Sequence, residues 1–300
     1  MIPISDINPA KSNPIISRIF IIVSIIVYVL IQPKNPSELF NFFYEFAAIP
    51  CEIFNNKPLS IDQYYNNDCS ALTSNIVFEN KNIFLSLILS NIFHANFIHI
   101  LGNLWSFWIF GNNIEDVLGR ARFIIFLFMT GLFSMFAHVI LNFNDINPIV
   151  GASGIVSALM GAYVYLFPNA QLLVLVPFGF LFPTTIRAKF FMIFWFFSQI
   201  FIALQNNNIS WEAHIGGFLI GYLVRNQIKA NSNNIYLSSK ARIKVLQESL
   251  GGIRDIIFLC GKLVLYKFTS KSIFLPPSLA ANAGTIATPL PDCTIERATS

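Results

Sequence analysis

The chain alternates long apolar stretches with polar connections, and this pattern predicts membrane-spanning helices. A bilayer core of about 30 Å needs about 20 apolar residues in an α-helix. Six stretches approach that length: 15–31, 92–110, 123–141, 153–167, 190–204 and 213–228. The fourth ends early at Pro168, although the apolar run resumes over 171–182. We therefore predict an all-α polytopic membrane protein built as a six-transmembrane-helix bundle.

Composition supports a chain that lies mostly in lipid. Hydrophobic residues make up 55% of the sequence and charged residues 11%, whereas soluble proteins carry about 25% charged residues. The formal charge of +4 is modest, and no basic stripe is interleaved with aromatic residues, which argues against a nucleic-acid partner. With four histidines and no zinc-ligand spacing, we expect no metal and no cofactor.

The basic residues predict the orientation of the bundle, because positive charge stays on the cytoplasmic side. They occur before helix one, between helices two and three, between helices four and five, and after helix six: Lys11, Arg18, Arg120, Arg122, Arg187, Lys189, Arg225, Lys229, Lys240, Arg242 and Lys244. Segments 142–150 and 205–212 contain none. We expect both termini in the cytoplasm. No small-residue cleavage site follows the first stretch and no transit peptide is recognisable, which favours a retained first helix in a bacterial inner membrane.

The remaining sequence divides the chain into three parts. Residues 1–14 form a cytoplasmic segment, and 15–228 form the membrane domain with a long external loop at 32–83. Residues 229–300 combine a basic linker, a possible interfacial helix at 253–268 and a disordered tail. Cys51 and Cys69 share the external loop; they could pair in an oxidising periplasm, or remain free thiols.

Three polar side chains are predicted to meet near the external surface. Helices two, four and six all run from outside to inside, and they carry His99, Ser153 and His214 near their outer ends. A serine hydroxyl becomes a nucleophile when an adjacent base takes its proton, and a neutral imidazole can accept it. With no carboxylate placed to orient the histidine, we predict a Ser153–His214 dyad.

Donors for a developing oxyanion are also predicted at this end. Asn103 follows His99 by four residues on one helix face, and both can donate a hydrogen bond. The backbone N–H of Ser153 lies at a helix N-terminus, where such groups lack helical partners. Each residue alone has a simpler explanation, such as helix packing for the serine and an interhelical hydrogen bond for His99 with Asn103. We interpret His94 and His138 as structural hydrogen-bonding residues.

The order of these residues resembles that of the rhomboid intramembrane serine proteases. Four motifs carry the likeness over residues 84–225: His94-x-x-x-x-His99-x-x-x-Asn103, Gly111-x-x-x-Glu115-x-x-x-Gly119, Gly151-Ala152-Ser153-Gly154 and Ala213-His214-Ile215-Gly216-Gly217. Two family features differ, because Ser157 stands where some rhomboids have a Tyr that packs on the catalytic histidine, and the Trp-Arg dipeptide of the first external loop is missing.

The resemblance implies hydrolysis of peptide bonds in or near transmembrane segments of other membrane proteins. Ser153 would be the nucleophile, His214 the base, and His99, Asn103 and the Ser153 N–H the oxyanion hole, with the site opening to the periplasm. Helix 190–204 would be a lateral gate, and 205–211 would cap the site. Supporting roles fall to a further set of residues: His94, Glu115, Gly151, Gly154 and Gly217.

Other classes of function fit the sequence less well. A metalloprotease of the intramembrane type needs His-Glu-x-x-His, and this string does not occur. An intramembrane aspartyl protease needs two carboxylates within the bilayer, whereas Asp116 and Asp145 are predicted in loops. A transporter would show paired helices that are broken by Pro or Gly, and the predicted helices lack such segments. The main alternative is a catalytically silent rhomboid-like protein that binds membrane clients.

Overall fold

The architecture is known from a computed structural model that describes residues 1–8, 10, 12–71, 75–178, 180–204 and 210–224. The predicted linker, interfacial helix and tail at 229–300 lie outside the described residues, as do most of the predicted capping loop and the end of the sixth stretch.

Each of the six predicted apolar stretches corresponds to a helix. The first is α1 (Ile15–Ile26), which continues as a π-helical turn over Val27–Ile31. The others are α6 (Phe97–Leu118), α7 (Arg120–Leu141), α8 (Ser153–Leu166), α9 (Ala188–Leu204) and α10 (Trp211–Leu223). Among the described residues, α7 alone is long and apolar enough to cross a membrane by length and composition. Six membrane spans therefore stay a prediction.

Helix α8 forms the centre of the bundle. All its residues from Gly154 to Tyr163 are buried, and it contacts α6, α7, α9 and α10. Small side chains allow this, because helices without a hydrophobic driving force between them associate through close backbone packing. A Cβ on Gly217 or Gly221 of α10 would collide with the backbone of α8, and a Cβ on Gly161 of α8 would collide with the backbone of α10. The two helices are therefore in direct backbone contact.

A small β-sheet corrects the prediction of a purely helical chain. Strands β2 (Gln171–Phe178) and β3 (Phe180–Arg187) form an antiparallel hairpin where the sequence suggested a continued apolar run, and β1 (Ile2–Asp6) pairs with β2. Pro177 and Pro183 explain the correction, because proline removes a backbone donor and breaks a helix. Asp6 fixes the strand to the bundle by accepting from Asn113 Nδ2 at 2.6 Å and from the Tyr163 hydroxyl at 3.1 Å.

The described part of residues 32–89 contains four short helices: α2 (Pro36–Phe46), α3 (Pro50–Asn55), α4 (Ile61–Asn66) and α5 (Ile83–Leu89). Three of them begin with side-chain caps, at Asn35, Ser60 and Asn82, as expected for short helices with unpaired N–H groups. Cys51 and Cys69, whose pairing the sequence left open, are joined by a disulfide bond. The bonded cysteines lie in a small apolar core with Tyr44 and Leu59.

A buried ion pair connects α3 to the chain just before α5. Lys81 Nζ lies 2.5 Å from Glu52 Oε2, and both side chains are almost fully buried. Glu52 also accepts from the Leu59 N–H, and Lys81 donates to the Tyr44 carbonyl. Burial raises the pKa of Glu52 and lowers the pKa of Lys81, and the attraction between the two charges opposes both shifts. Each charge therefore depends on the other to remain ionised.

Replacing Lys81 by Met is expected to lower the free energy of unfolding by about 3–5 kcal/mol, because it leaves a buried carboxylate without its counter-charge. Burial raises the pKa of Glu52, and in the variant the charge of Lys81 no longer opposes that shift, so the folded variant binds more protons than its unfolded chain and the loss is larger at pH 8 than at pH 5. Thermal unfolding in detergent at both pH values measures this. The double variant Glu52→Gln with Lys81→Met should recover most of the loss, and exposed Lys57→Met serves as the control. An equal effect of the two lysine substitutions would contradict the prediction.

Candidate active site

Ser153 and His214 lie in hydrogen-bonding contact at one end of the bundle. Ser153 is the first residue of α8, and His214 lies in the first turn of α10. The Ser153 Oγ is 2.8 Å from His214 Nε2. The backbone contact between α8 and α10 brings the two side chains this close, and both keep partial solvent exposure. This geometry allows the imidazole to accept the hydroxyl proton.

The other nitrogen of His214 has a partner that the sequence analysis missed. Its Nδ1 lies 2.7 Å from Oε1 of Gln199, a residue of α9. The ring of Trp195, one turn earlier on α9, lies 6.4 Å from the imidazole between centroids. The histidine is therefore contacted by α9 on the side opposite Ser153. The available signal was a single amide in the otherwise apolar stretch Phe190–Leu204, since strongly polar residues in such segments are often functional.

His99 and Asn103 face the loop that leads to Ser153. Gly151 has φ +123°, and a Cβ built on it would lie 2.7 Å from His99 Nε2 and 3.5 Å from Asn103 Nδ2. The Ala95 N–H points at His99 Nδ1 at 3.4 Å, which leaves Nε2 as the protonated nitrogen. Asn103 is buried, and its Nδ2 has no hydrogen-bond partner in the part of the chain that the structure describes. Both side chains thus offer donors towards the segment before Ser153.

The three predicted supporting glycines all lie at close contacts. Gly151 also donates its N–H to the Ser90 carbonyl at 2.8 Å, which fixes the loop. A Cβ on Gly154 would collide with Ser134 of α7, and a Cβ on Gly217 would collide with the backbone of Gly154. Each glycine therefore lets a neighbouring element approach the serine loop more closely than any other residue would.

The segment that contains α2 to α5 is hydrogen-bonded directly to this loop. Ala48 forms an antiparallel bridge with Ile149, two residues before Gly151. The N–H of Ala48 donates to Ser90 Oγ at 2.7 Å, and the N–H of Cys51 donates to the Asp145 carbonyl at 2.9 Å. The disulfide-bonded segment and the segment that carries Ser153 are thus parts of one hydrogen-bonded surface.

His94 and Glu115 both make structural hydrogen bonds. His94 is fully buried; its Nδ1 lies 2.9 Å from the Ile92 carbonyl, and its backbone pairs with the Gln32 amide. Glu115 accepts from the N–H groups of Ile16 and Ser17. Because α1 begins without a side-chain cap, its first N–H groups need acceptors, and this carboxylate supplies them.

A second cluster lies near His214 without contacting it. His138 Nδ1 is 3.0 Å from Glu212 Oε2, and Asn142 Nδ2 donates to Glu212 Oε1 at 2.9 Å. The carboxylate of Glu212 is therefore bound to residues of α7 and its C-cap, and it fastens α7 to the start of α10. His138 has the structural hydrogen bonds expected of it.

The sequence is similar to known proteins over about half of its length. Residues 81–227 match the family model described as Rhomboid domain. The mitochondrial Rhomboid protein 1 of Saccharomyces cerevisiae is 30% identical over 145 residues, covering 46% of this chain and 40% of the relative. Rhomboid protease GlpG of Pectobacterium atrosepticum is 31% identical over 132 residues, 44% of each chain. The putative rhomboid protease YdcA of Bacillus subtilis is 29% identical over 143 residues, 46% of this chain and 65% of the relative.

The helical bundle and the matched domain define an integral membrane protein of a polytopic, mainly helical class. The chain belongs to the rhomboid family. That family includes serine intramembrane proteases, among them Rhomboid protease GlpG. The chain spans less than two thirds of the length of each of these three relatives.

Proposed function

We propose that the protein is an intramembrane serine protease that hydrolyses peptide bonds in or near transmembrane segments of other membrane proteins. The observation that carries this proposal is the 2.8 Å contact between Ser153 Oγ and His214 Nε2. Its partners would be transmembrane protein substrates and the lipid bilayer. The relatives named as rhomboid proteases support the same activity.

The proposed chemistry is acyl transfer through a covalent intermediate. His214 Nε2 takes the proton of Ser153 as Oγ attacks the substrate carbonyl, and a tetrahedral intermediate forms. The imidazolium then gives that proton to the leaving amine as the C–N bond breaks, which leaves an acyl ester on Ser153. A water molecule, deprotonated by the same imidazole, then attacks the ester carbonyl. The imidazolium returns the proton to Ser153 Oγ as the ester C–O bond breaks and the new carboxylate is released.

Three donors would stabilise the negative oxygen of the tetrahedral intermediate: His99 Nε2, Asn103 Nδ2 and the Ser153 N–H. The unpartnered amide of Asn103 supports this assignment, because a buried donor without a partner is costly unless a ligand satisfies it. The first turn of α8 has no side-chain cap, so its N–H groups remain available. Donors of this kind contribute about 3–4 kcal/mol each to the transition state.

We further propose a six-span topology in a bacterial inner membrane, with both termini cytoplasmic and the site opening to the periplasm. The charge distribution supports it, since the α6–α7 turn and the start of α9 carry basic residues, whereas the loop before Ser153 carries none. In this arrangement α9 acts as the lateral gate. Its exposed face is rich in phenylalanine, as expected of a surface in contact with lipid.

Labelling with a fluorophosphonate probe tests the proposed activity. The detergent-solubilised protein is expected to react at Ser153, identified by mass spectrometry of the labelled peptide, because an alkoxide-forming serine attacks the phosphorus atom. Ser153→Ala should give no label under the same conditions. A folded wild-type protein that does not label would overturn the proposal and favour a client-binding protein without catalysis.

A further inference from the structure

Gln199 is a buried amide on α9, a helix whose other residues are apolar apart from Lys189 at its start and the neighbouring Ser198. The side chain is 4% exposed, whereas the neighbours Phe197, Ile200 and Phe201 lie open on the outer face of α9. An amide taken from water without hydrogen-bond partners costs on the order of several kcal/mol. Gln199 therefore needs its partners, and those partners include the proposed general base.

The hydrogen bonds around Gln199 determine which atoms of Ser198, Gln199 and His214 donate and which accept. The Ser198 hydroxyl donates to the Trp195 carbonyl at 2.6 Å, so its oxygen accepts from Gln199 Nε2 at 3.3 Å. The amide oxygen Oε1 then faces His214 Nδ1 at 2.7 Å, and an amide oxygen can only accept. Nδ1 must carry the proton, which leaves Nε2 unprotonated and able to accept from Ser153.

No carboxylate of the described residues takes this position. Glu212 is two residues before His214, but its two oxygens are bound by His138 and Asn142. A carboxylate next to His214 would also have to be buried in an apolar helix, where a charge is costly. An amide supplies the acceptor without the charge.

We propose that Gln199 is a positioning residue that holds His214 in the tautomer and orientation needed to deprotonate Ser153. It takes the place that the carboxylate has in a Ser-His-Asp triad, with a neutral acceptor in place of a charged one. This proposal rests on the proposed function. It adds a third position to the Ser153–His214 dyad, and that position lies on a different helix from the other two.

The test compares Gln199→Leu with Gln199→Glu by kinetics on a fluorogenic transmembrane peptide and by the rate of fluorophosphonate labelling. Leu removes the hydrogen-bond acceptor, whereas Glu has a side chain of the same length as Gln and keeps an oxygen that can accept from His214. Gln199→Leu is expected to lower kcat by roughly 10- to 100-fold with KM within about twofold, less than the loss of about 10⁴-fold when the charged Asp of a triad is replaced. The labelling rate should fall by the same factor, and Gln199→Glu should regain most of it.

If Gln199 had a purely structural role, Gln199→Leu would be more active than Gln199→Glu, because Leu suits an apolar helix and a buried Glu does not. Unfolding temperatures are measured alongside, and Gln171→Leu, the same chemical change at an exposed position of β2, is the matched control. Wild-type rates in Gln199→Leu, or a folded Gln199→Glu no better than Gln199→Leu, would overturn the proposal. Failure of the wild type to label would instead remove the proposed function, so the two failures are distinguishable.

Discussion

Replacing Ser153 by Ala is expected to lower kcat/KM for a transmembrane substrate by about 10³-fold or more, to the level of the uncatalysed background. The substitution removes the oxygen that would attack the carbonyl and leaves the rest of the site in place. His214→Ala should cost as much, because the hydroxyl then has no base within 2.8 Å. Cleavage by purified protein in liposomes measures both rates.

Ser157 offers a matched control for this prediction. It lies one turn further along α8, is buried, and donates its hydroxyl to the Ser153 carbonyl at 2.7 Å. Ser157→Ala makes the same chemical change on the same helix and should keep most of the activity. Because Ser153 and His214 act as a unit, the double variant should be no slower than either single variant. Activity in Ser153→Ala, or multiplied losses in the double variant, would contradict the mechanism.

Gly221→Ala is expected to lower the free energy of unfolding by about 3 kcal/mol or more. The added Cβ would overlap the carbonyl of Ala158, and backbone cannot rotate away as a side chain can. Helices α8 and α10 would have to separate along their whole contact, which costs more than ordinary overpacking of a core. Thermal or SDS-induced unfolding followed by circular dichroism measures the change.

Gly102→Ala is the control for this substitution. Gly102 lies on the exposed face of α6, and a Cβ there meets no atom within 4 Å. Ala should be neutral or stabilise the helix by up to about 1 kcal/mol, because glycine loses more conformational entropy on folding. A loss at Gly221 no larger than the change at Gly102 would show that the two helices are not held in backbone contact.

Much of the helical layout and the choice of Ser153 and His214 as candidate residues could be predicted from the sequence, because both depend on local signals. Hydrophobic length identified α1 and α6 to α10, with ends displaced by up to eight residues. The placement of Ser153 and His214 at one end of the bundle followed from the alternation of helix direction. A 2.8 Å contact between them needed the structure, since it depends on the glycine packing of α8 against α10.

The features that sequence reasoning missed depend on distant contacts. The pairing of β1 with β2 joins residues more than 160 positions apart, and no local pattern in Ile2–Asp6 indicates it. The disulfide was left open because the spacing of Cys51 and Cys69 does not fix their distance. Gln199 was missed for the same reason, since a glutamine in an apolar stretch gives no sign of which side chain it will meet.

The packing of α8 against α10 determines how a displacement of one helix affects the site. Ser153 and His214 lie on two helices whose glycines allow direct backbone contact, so the distance between them is set by that contact. Gln199 lies on α9, and the phenylalanine side chains on the outer face of this helix are exposed. A shift of α9 would therefore alter which imidazole nitrogen carries the proton while leaving the serine–histidine spacing unchanged. The contact of α8 with α10 therefore governs the distance between Ser153 and His214, and the position of α9 governs which nitrogen of His214 is protonated.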